Sequence, residues 1–317
     1  MKYNIIPNTD LKVSSIALGT WAMGNDFWGN VDDKESIKAI HSSLDTGVNF
    51  IDTAPVYGAG HAETVVAKAI KDRRDKVIVA TKAGVIRTKT EYRRDLSPKQ
   101  LQKDMEESLR RLNTDCIDLY YIHWPDVTTP LEDSINTLEK FKKQGKFRYL
   151  AVSNFSVELM QQAQEMTDIV CLQPNYSILN RKIEKEIIPY CEQQNLGVIS
   201  YGTLAGGLLT GKFKSIPKFT EGDNRGRFYD YYHQDIWQNI QGLLACLGKI
   251  AQKHCCTVAQ TAIAWTVQQK GITSVLVGAK NNNQALDNAT AAEILLSDSE
   301  CLEIEAYLKQ WLSKVVY

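Results

Sequence analysis

Several absences narrow this 317-residue chain before any motif is read. It carries no excess of charge, since 37 Lys and Arg face 37 Asp and Glu. A balanced chain has no electrostatic reason to take nucleic acid or an anionic membrane as its main partner. It has no apolar run of roughly eighteen residues, as a membrane-spanning helix needs. Its start, Met1-Lys2-Tyr3-Asn4-Ile5-Ile6-Pro7, lacks the apolar centre of a secretory leader. A soluble, cytoplasmic protein is expected. The seven cysteines are odd in number and scattered, with no C-x-x-C spacing; Cys255 and Cys256 are merely adjacent. Reduced thiols fit that pattern better than a metal centre or a disulfide framework, so no metal is expected. No linker or low-complexity stretch divides the chain, which is therefore read as one domain over residues 1–317.

What is present is an alternation. Short β-rich runs recur at Ile16–Gly19, Val48–Asp52, Val77–Thr81, Ile117–His123, Arg148–Ser153, Ile169–Gln173, Gly197–Tyr201 and Ile272–Val277. Several are nearly continuous in apolar residues, as parallel strands buried on both faces are. Helical stretches follow them. Asp32–Thr46 opens on acids and stops before Gly47, and Ser97-Pro98 opens a stretch with Leu101, Met105, Leu109 and Leu112 on one stripe. Pro130–Lys143, Ser156–Met166, Arg181–Gln194 and Asn281–Ala291 complete the pattern. Eight such units fit a closed barrel or a large open doubly wound sheet, and the undivided chain favours the barrel, an α/β fold of the (β/α)8 TIM type. Tyr3–Ile6 and Lys12–Ser14 flank a Pro7-Asn8-Thr9-Asp10 turn and predict an N-terminal β-hairpin that plugs the barrel floor. Extra helices are expected before strand eight, near Asp235–Lys253 and Val258–Gln269, and at the C-terminus, near Ser299–Lys314. Lys214–Tyr232 reads as a polar loop.

Two nucleotide motifs nearly fit and then fail. Gly58-Ala59-Gly60-His61-Ala62-Glu63 has Glu63 where a dinucleotide fingerprint needs its third glycine, and an acid there repels pyrophosphate. A tight turn into a helix, with Glu63 at the positive end of its dipole, is the better account. Gly206-Gly207-Leu208-Leu209-Thr210-Gly211-Lys212 continues into Phe213, where a P-loop needs Ser or Thr for Mg²⁺. Its backbone N–H groups and Lys212 could still meet another phosphate.

Active sites of such barrels lie at the C-terminal ends of the strands. Those ends carry Thr20-Trp21, Asp52 with Tyr57 just beyond, Lys82, His123-Trp124, Ser153-Asn154, Gln173, Tyr201 and Gly278-Ala279-Lys280. Singly, Asp52, Tyr57, Lys82 and His123 each have an ordinary structural reading. Together, their chemistry interlocks. A phenol is a sluggish acid at neutral pH, an ammonium beside it favours the phenolate, and a carboxylate holds that ammonium. An imidazole can hydrogen-bond a substrate oxygen. The set suits hydride addition to a carbonyl, which places charge on oxygen and then protonates it.

Around these residues the chain resembles the aldo-keto reductases. Asn49-Phe50-Ile51-Asp52-Thr53-Ala54-Pro55-Val56-Tyr57-Gly58 is similar to the segment bearing their catalytic Asp and Tyr. Lys82 in Ala80-Thr81-Lys82 and His123 in Tyr120-Tyr121-Ile122-His123-Trp124-Pro125 take the places of their Lys and His. The likeness runs through Val152-Ser153-Asn154-Phe155 and Leu172-Gln173-Pro174-Asn175-Tyr176 to Gly278-Ala279-Lys280, covering essentially the whole chain in order. Gly19-Thr20-Trp21-Ala22-Met23-Gly24 resembles the bacterial general-stress branch, which is related to potassium-channel β subunits.

The resemblance implies an oxidoreductase that reduces aldehydes or ketones with NADPH, Tyr57 giving the proton. Asp52, Lys82 and His123 would be its catalytic partners. Thr20, Trp21 and Asp52 would meet the cofactor near the nicotinamide and ribose; Ser153, Asn154 and Gln173 would hold the carboxamide, and Tyr201 would stack on the ring. Gly202, Thr203, Leu204, Ala205, Gly207 and Lys212 would follow the pyrophosphate. Gly278, Lys280, Gln284, Asp287 and Asn288 would hold the adenosine end, with Arg227 (and Arg225 near it) for a phosphate. Lys280 keeps a positive charge where relatives often have Arg facing the 2′-phosphate, while the next position is Asn281; NADPH is expected, with NADH as the alternative. Trp21, Trp28 and Trp124 would line a pocket for a small carbonyl substrate. The same likeness implies a monomer. It also leaves a second reading, an NADPH-binding, redox-sensing regulatory subunit with slow residual reductase activity.

Overall fold

The structure, a computed structural model, describes residues 1–25, 28–29, 31–88, 91–219, 223–229 and 231–312, with the side chains of Arg227, Trp311 and Leu312 outside the described part. Twelve strands are present among these residues: β1 (Tyr3–Ile5), β2 (Lys12–Ser14), β3 (Ile16–Gly19), β4 (Phe50–Asp52), β5 (Ile78–Ala83), β6 (Val85–Arg87), β7 (Tyr92–Arg94), β8 (Ile117–Ile122), β9 (Phe147–Ser153), β10 (Ile169–Gln173), β11 (Gly197–Ser200) and β12 (Ser274–Gly278). Eight of them, β3, β4, β5 and β8 to β12, close into a parallel barrel in sequence order. Gly278 pairs with Gly19, Gly19 with Asp52, Asp52 with Ala80, Lys82 with Tyr121, and Gln173 with Ser153. That register alone brings the polar strand ends to one rim.

The helices are α1 (Asp33–Asp45), α2 (His61–Ile70), α3 (Pro98–Leu112), α4 (Leu131–Lys143), α5 (Val157–Gln164), α6 (Ile187–Gln193), α7 (Arg225–Phe228), α8 (Gln234–Lys253), α9 (Val258–Val267), α10 (Asn282–Thr290) and α11 (Asp298–Leu312). Their starts follow local chemistry. Asp32 accepts from the Lys34 and Glu35 amides, Ser97 from Gln100, Ser156 from Leu159 and Asn281 from Gln284. Each such cap contributes about 1 kcal/mol.

Alternation along the strands builds two cores. Inward residues Ala17, Phe50, Ala80, Leu119, Tyr121, Ala151, Cys171 and Ile199 fill the barrel, and Ile6, Leu11 and Val13 of the hairpin pack beneath them. The β1–β2 hairpin is thus the expected floor plug. Its turn is fastened where Arg148 Nη2 donates to Asp10 at 2.5 Å and the Tyr149 hydroxyl at 3.0 Å. Outward residues pack against the helical ring, most of them in one large cluster, with Ile16, Val275 and Val277 against Ile263 in a smaller one.

Two expectations needed revision. The helix read over Arg181–Gln194 is a short 3-10 turn at Lys182–Glu184 followed by α6. A helix begun at 181 would bury Pro189 in its interior, where its ring strikes the carbonyl four residues back; starting at Ile187 leaves Pro189 in the first turn, where no N–H is required. The segment after β5 holds a second antiparallel hairpin, β6–β7, that the sequence reading did not anticipate.

Candidate active site

Asp52 is the last residue of β4 and Lys82 lies on β5. Both side chains enter the barrel mouth and are almost wholly enclosed, with 2% and 0% exposure. Lys82 Nζ donates to Asp52 Oδ1 at 2.5 Å, to the Thr53 carbonyl at 2.9 Å and to the Tyr57 hydroxyl at 3.4 Å. Gln173 Nε2 donates to the other Asp52 oxygen at 2.9 Å. Burial pushes the Asp52 carboxyl up and the Lys82 ammonium down, while their mutual attraction opposes both shifts.

Tyr57 reaches the rim from the turn after β4. Gly58, Ala59 and Gly60 are all left-handed there, at φ 61°, 51° and 90°. Gly58 has no alternative: an added Cβ would lie 2.0 Å from the Gly24 carbonyl oxygen. The turn therefore sits directly on the Trp21–Gly24 turn, and the Trp21 ring stacks on Tyr57 at 5.9 Å. His123 follows β8, its ring edge-on to Tyr57 with centroids 6.0 Å apart. Burial, and then the Lys82 ammonium, hold His123 well below its ordinary pKa, so it is a neutral imidazole. The four ionisable residues singled out from the sequence thus converge.

Beside them runs a polar chain. Ser153 Oγ donates to the Gln173 carbonyl at 2.8 Å, Asn154 Nδ2 donates to Ser153 Oγ at 2.9 Å and to the His123 carbonyl at 3.1 Å, and the Tyr201 hydroxyl donates to Asn154 Oδ1 at 2.9 Å. Thr20 is buried, its hydroxyl donating to the Asp52 carbonyl at 3.0 Å, so its side chain braces β4. Thr203 likewise braces β12 by donating to the Leu276 carbonyl.

Beyond Tyr201 the chain doubles back through left-handed Gly202, Ala205, Gly206, Gly207 and Gly211, with Leu204 half-buried between them. A Cβ on Gly207 would stand 3.5 Å from Arg225 Nη1 and 3.8 Å from Lys212 Nζ, so this glycine leaves open a cradle faced by two cations. Lys280 completes the group. It feels the charges of Arg225, Asp223 and Lys212, and its Nζ donates to the Trp28 carbonyl. Burial and Arg225 push both lysines down. Asp223, bound to Arg225 at 2.5 Å, is the carboxylate acting on all three cations. This surplus of positive charge at a glycine turn fits a dinucleotide's phosphates. The Gly278 end is shaped by local bonds: Gln284 Oε1 accepts from the Lys280 amide at 2.9 Å, and Asn288 Nδ2 donates to the Gly278 carbonyl at 3.1 Å. Asp287 is exposed on α10, its carbonyl accepting from Gln260 Nε2.

Trp21 and Trp28 meet edge-on at 5.4 Å, and Phe228, absent from the sequence reading, joins Trp21 at 5.1 Å. Trp124 lies under the Arg94 guanidinium of β7, with Arg94 Cζ 4.7 Å from the ring centroid. The Arg227 side chain lies outside the described residues; Arg225 is the arginine seen among the lysines. Among the described residues of the Lys214–Tyr232 segment, read as a polar loop, Arg225 lies within cation–π distance of Phe219 and also of Phe213 and Trp28 outside it. Glu63, placed by sequence at the start of α2 for its helix dipole, is fully buried and ion-paired to Arg111 at 2.6 Å.

A family model described as "Aldo/keto reductase family" matches residues 15–309. An aldo-keto reductase of Bacillus subtilis, YhdN, is 35% identical over 100% of this chain and 96% of its own length. The fold superposes on the glycerol dehydrogenase AKR11B4 from Gluconobacter oxydans with a TM-score of 0.89, at 36% identity over 97% of this chain and 95% of that one. It also superposes on an aldo/keto reductase from Klebsiella pneumoniae in complex with NADP and acetate, with a TM-score of 0.75 at 28% identity over 96% of this chain and 95% of that one.

Proposed function

The chain belongs to the aldo/keto reductase family, and from that premise we propose that Tyr57 is the proton donor in its NADPH-dependent reduction of small aldehydes or ketones to alcohols. The observation that carries the assignment is the chain from Asp52 through Lys82 to Tyr57, at 2.5 and 3.4 Å. The chemistry supplied by the bound nicotinamide is a hydride for the carbonyl carbon. Tyr57 donates a hydrogen bond, then its proton, to the carbonyl oxygen. Lys82, held by Asp52, favours the phenolate that Tyr57 becomes. His123, as a neutral imidazole, donates a second hydrogen bond to the same oxygen and stabilises charge developing there. Ser153, Asn154 and Gln173 offer donors and acceptors suited to a carboxamide, and Tyr201 offers a flat face. The Gly207 turn, Lys212, Arg225 and Lys280 take the phosphates. Trp21, Trp28 and Phe228 line the approach to Tyr57, which favours a small carbonyl compound with an apolar or aromatic body.

One barrel domain, acting as a cytoplasmic monomer, completes the proposal. Among the described residues no helix is long and apolar enough to cross a membrane. Titration with NADPH and NADH, followed by a carbonyl panel that includes 4-nitrobenzaldehyde, tests it. NADPH is expected to bind more tightly and to be oxidised by at least one member. Tight retention with no turnover on any carbonyl would favour a redox-sensing subunit instead.

A further inference from the structure

Behind the barrel wall lies a buried charge cluster that the reaction itself does not use. On β5, Lys82 points into the mouth, so its neighbour Thr81 points outward, and the Thr81 hydroxyl donates to Glu63 Oε1 at 2.7 Å. Glu63 has no exposed surface. Its other oxygen accepts from Arg111 Nε at 2.6 Å, and Arg111 Nη1 binds Glu107 at 2.9 Å, which anchors the pair to α3. Arg111 also lies across the turn that carries Tyr57, since a Cβ on Gly60 would stand 2.5 Å from Arg111 Cδ. Glu63 sits in the first turn of α2, and that turn is joined to Tyr57 directly: the Ala62 amide donates to the Tyr57 carbonyl at 3.3 Å. A buried ion pair is a poor stabiliser by itself, because desolvation offsets its attraction. Here it holds α2 against α3 and fixes the carboxylate that Thr81 of β5 binds, so β5 and the Tyr57 turn, whose relative placement sets the Lys82–Tyr57 contact, are joined through Glu63.

We propose that Glu63, clamped by Thr81 and Arg111, is a positioning residue for the reaction: it ties the Tyr57 turn to β5. The inference rests on the role given above to Tyr57 and Lys82. The charge of Glu63 favours the Lys82 ammonium. The groups facing that ammonium are Asp52 from β4, Tyr57 from the following turn, Tyr121 of β8, His123 after β8, and Glu63 through the wall. Those facing Glu63 are Thr81 of β5, Arg111 and Asp104 of α3, and Tyr120 of β8.

The test is steady-state turnover of the full chain with NADPH and 4-nitrobenzaldehyde across pH, for Glu63→Gln, Thr81→Val and Tyr57→Phe. Thr81→Val removes the link to β5 and leaves the carboxylate; kcat should fall about tenfold, inside the ~100-fold that misplacement of catalytic groups can cost. KM and the NADPH Kd should stay near the parent values. Glu63→Gln should move the alkaline limb of kcat to lower pH, since Lys82 then gives up its proton more easily. If both variants fold and keep the parent kcat and pH profile, losing only thermal stability, Glu63 is structural and the proposal falls. If Glu63→Gln does not fold, Thr81→Val decides alone. Parent-like turnover in Tyr57→Phe would instead overturn the underlying assignment of Tyr57.

Discussion

Replacing Asp52 by Asn perturbs the site at its most buried contact. The carboxylate receives Lys82 at 2.5 Å and Gln173 at 2.9 Å, so an amide can keep one of the two donors but must turn its own NH₂ toward the other. In either orientation Lys82, with no exposed surface, loses its anionic partner, and with the NH₂ turned toward it its hydrogen bonds are those to the Thr53 carbonyl at 2.9 Å and the Tyr57 hydroxyl at 3.4 Å. Breaking a buried pair by removing one partner costs about 3–5 kcal/mol. That equals roughly two to four powers of ten in proton affinity. Burial already holds Lys82 below its ordinary value, the loss of the carboxylate's attraction lowers it further, and Lys82 escapes the penalty by becoming neutral. The sign follows. A lysine whose folded pKa is depressed binds its proton more weakly in the folded state, so stability rises with pH between the folded and unfolded values. Denaturant unfolding from neutral to alkaline pH should show Asp52→Asn gaining stability more steeply than the parent. Turnover should be lost over the same range. A variant with the parent's pH dependence would refute the claim that Asp52 holds the Lys82 charge.

Two further perturbations follow from other parts of the molecule. Lys280→Met should weaken NADPH binding by about tenfold or more while leaving NADH nearly unchanged, because a charge-assisted hydrogen bond contributes roughly 1.5–3 kcal/mol and NADH has no 2′-phosphate to receive it; fluorescence titration with both cofactors measures the ratio. Asp104 is buried behind β5, where it accepts from the Gly84 amide at 2.8 Å, and burial pushes it up to about 6. A raised carboxyl contributes stability that is complete below the unfolded value of 3.8 and is lost as pH rises through the folded value. The stability of Asp104→Asn relative to the parent should therefore increase by about 1–3 kcal/mol from pH 4 to 7, a shift that denaturant melts at the two pH values would detect.

The barrel and its catalytic rim were legible because they rest on short-range signals. Ile16–Gly19 and Ile169–Gln173 are apolar runs bounded by turns, and they are strands with those limits. Asp52, Lys82 and His123 were found by asking what stands at strand ends, and the barrel register does bring them together. What was not legible depends on partners distant in sequence. Glu63 and Arg111 lie 48 residues apart, and nothing local marks them as a pair. The place of Arg225 depends on the aromatic rings and lysines that the fold gathers around it. Nothing local to Trp124 announces that the β6–β7 hairpin brings Arg94 over its face. The break before α6 was visible in principle, since Pro189 lay inside the predicted helix.

The account turns on Tyr57 as the acid. A single-turnover measurement of NADPH oxidation with 4-nitrobenzaldehyde, comparing the parent with Tyr57→Phe, addresses it most directly. Phe keeps the ring that stacks on Trp21 and loses only the hydroxyl that Lys82 contacts. The predicted result is unchanged NADPH affinity with hydride transfer slowed by a factor on the order of 10² or more, the usual worth of a positioned general acid. Hydride transfer at the parent rate in Tyr57→Phe would contradict the account.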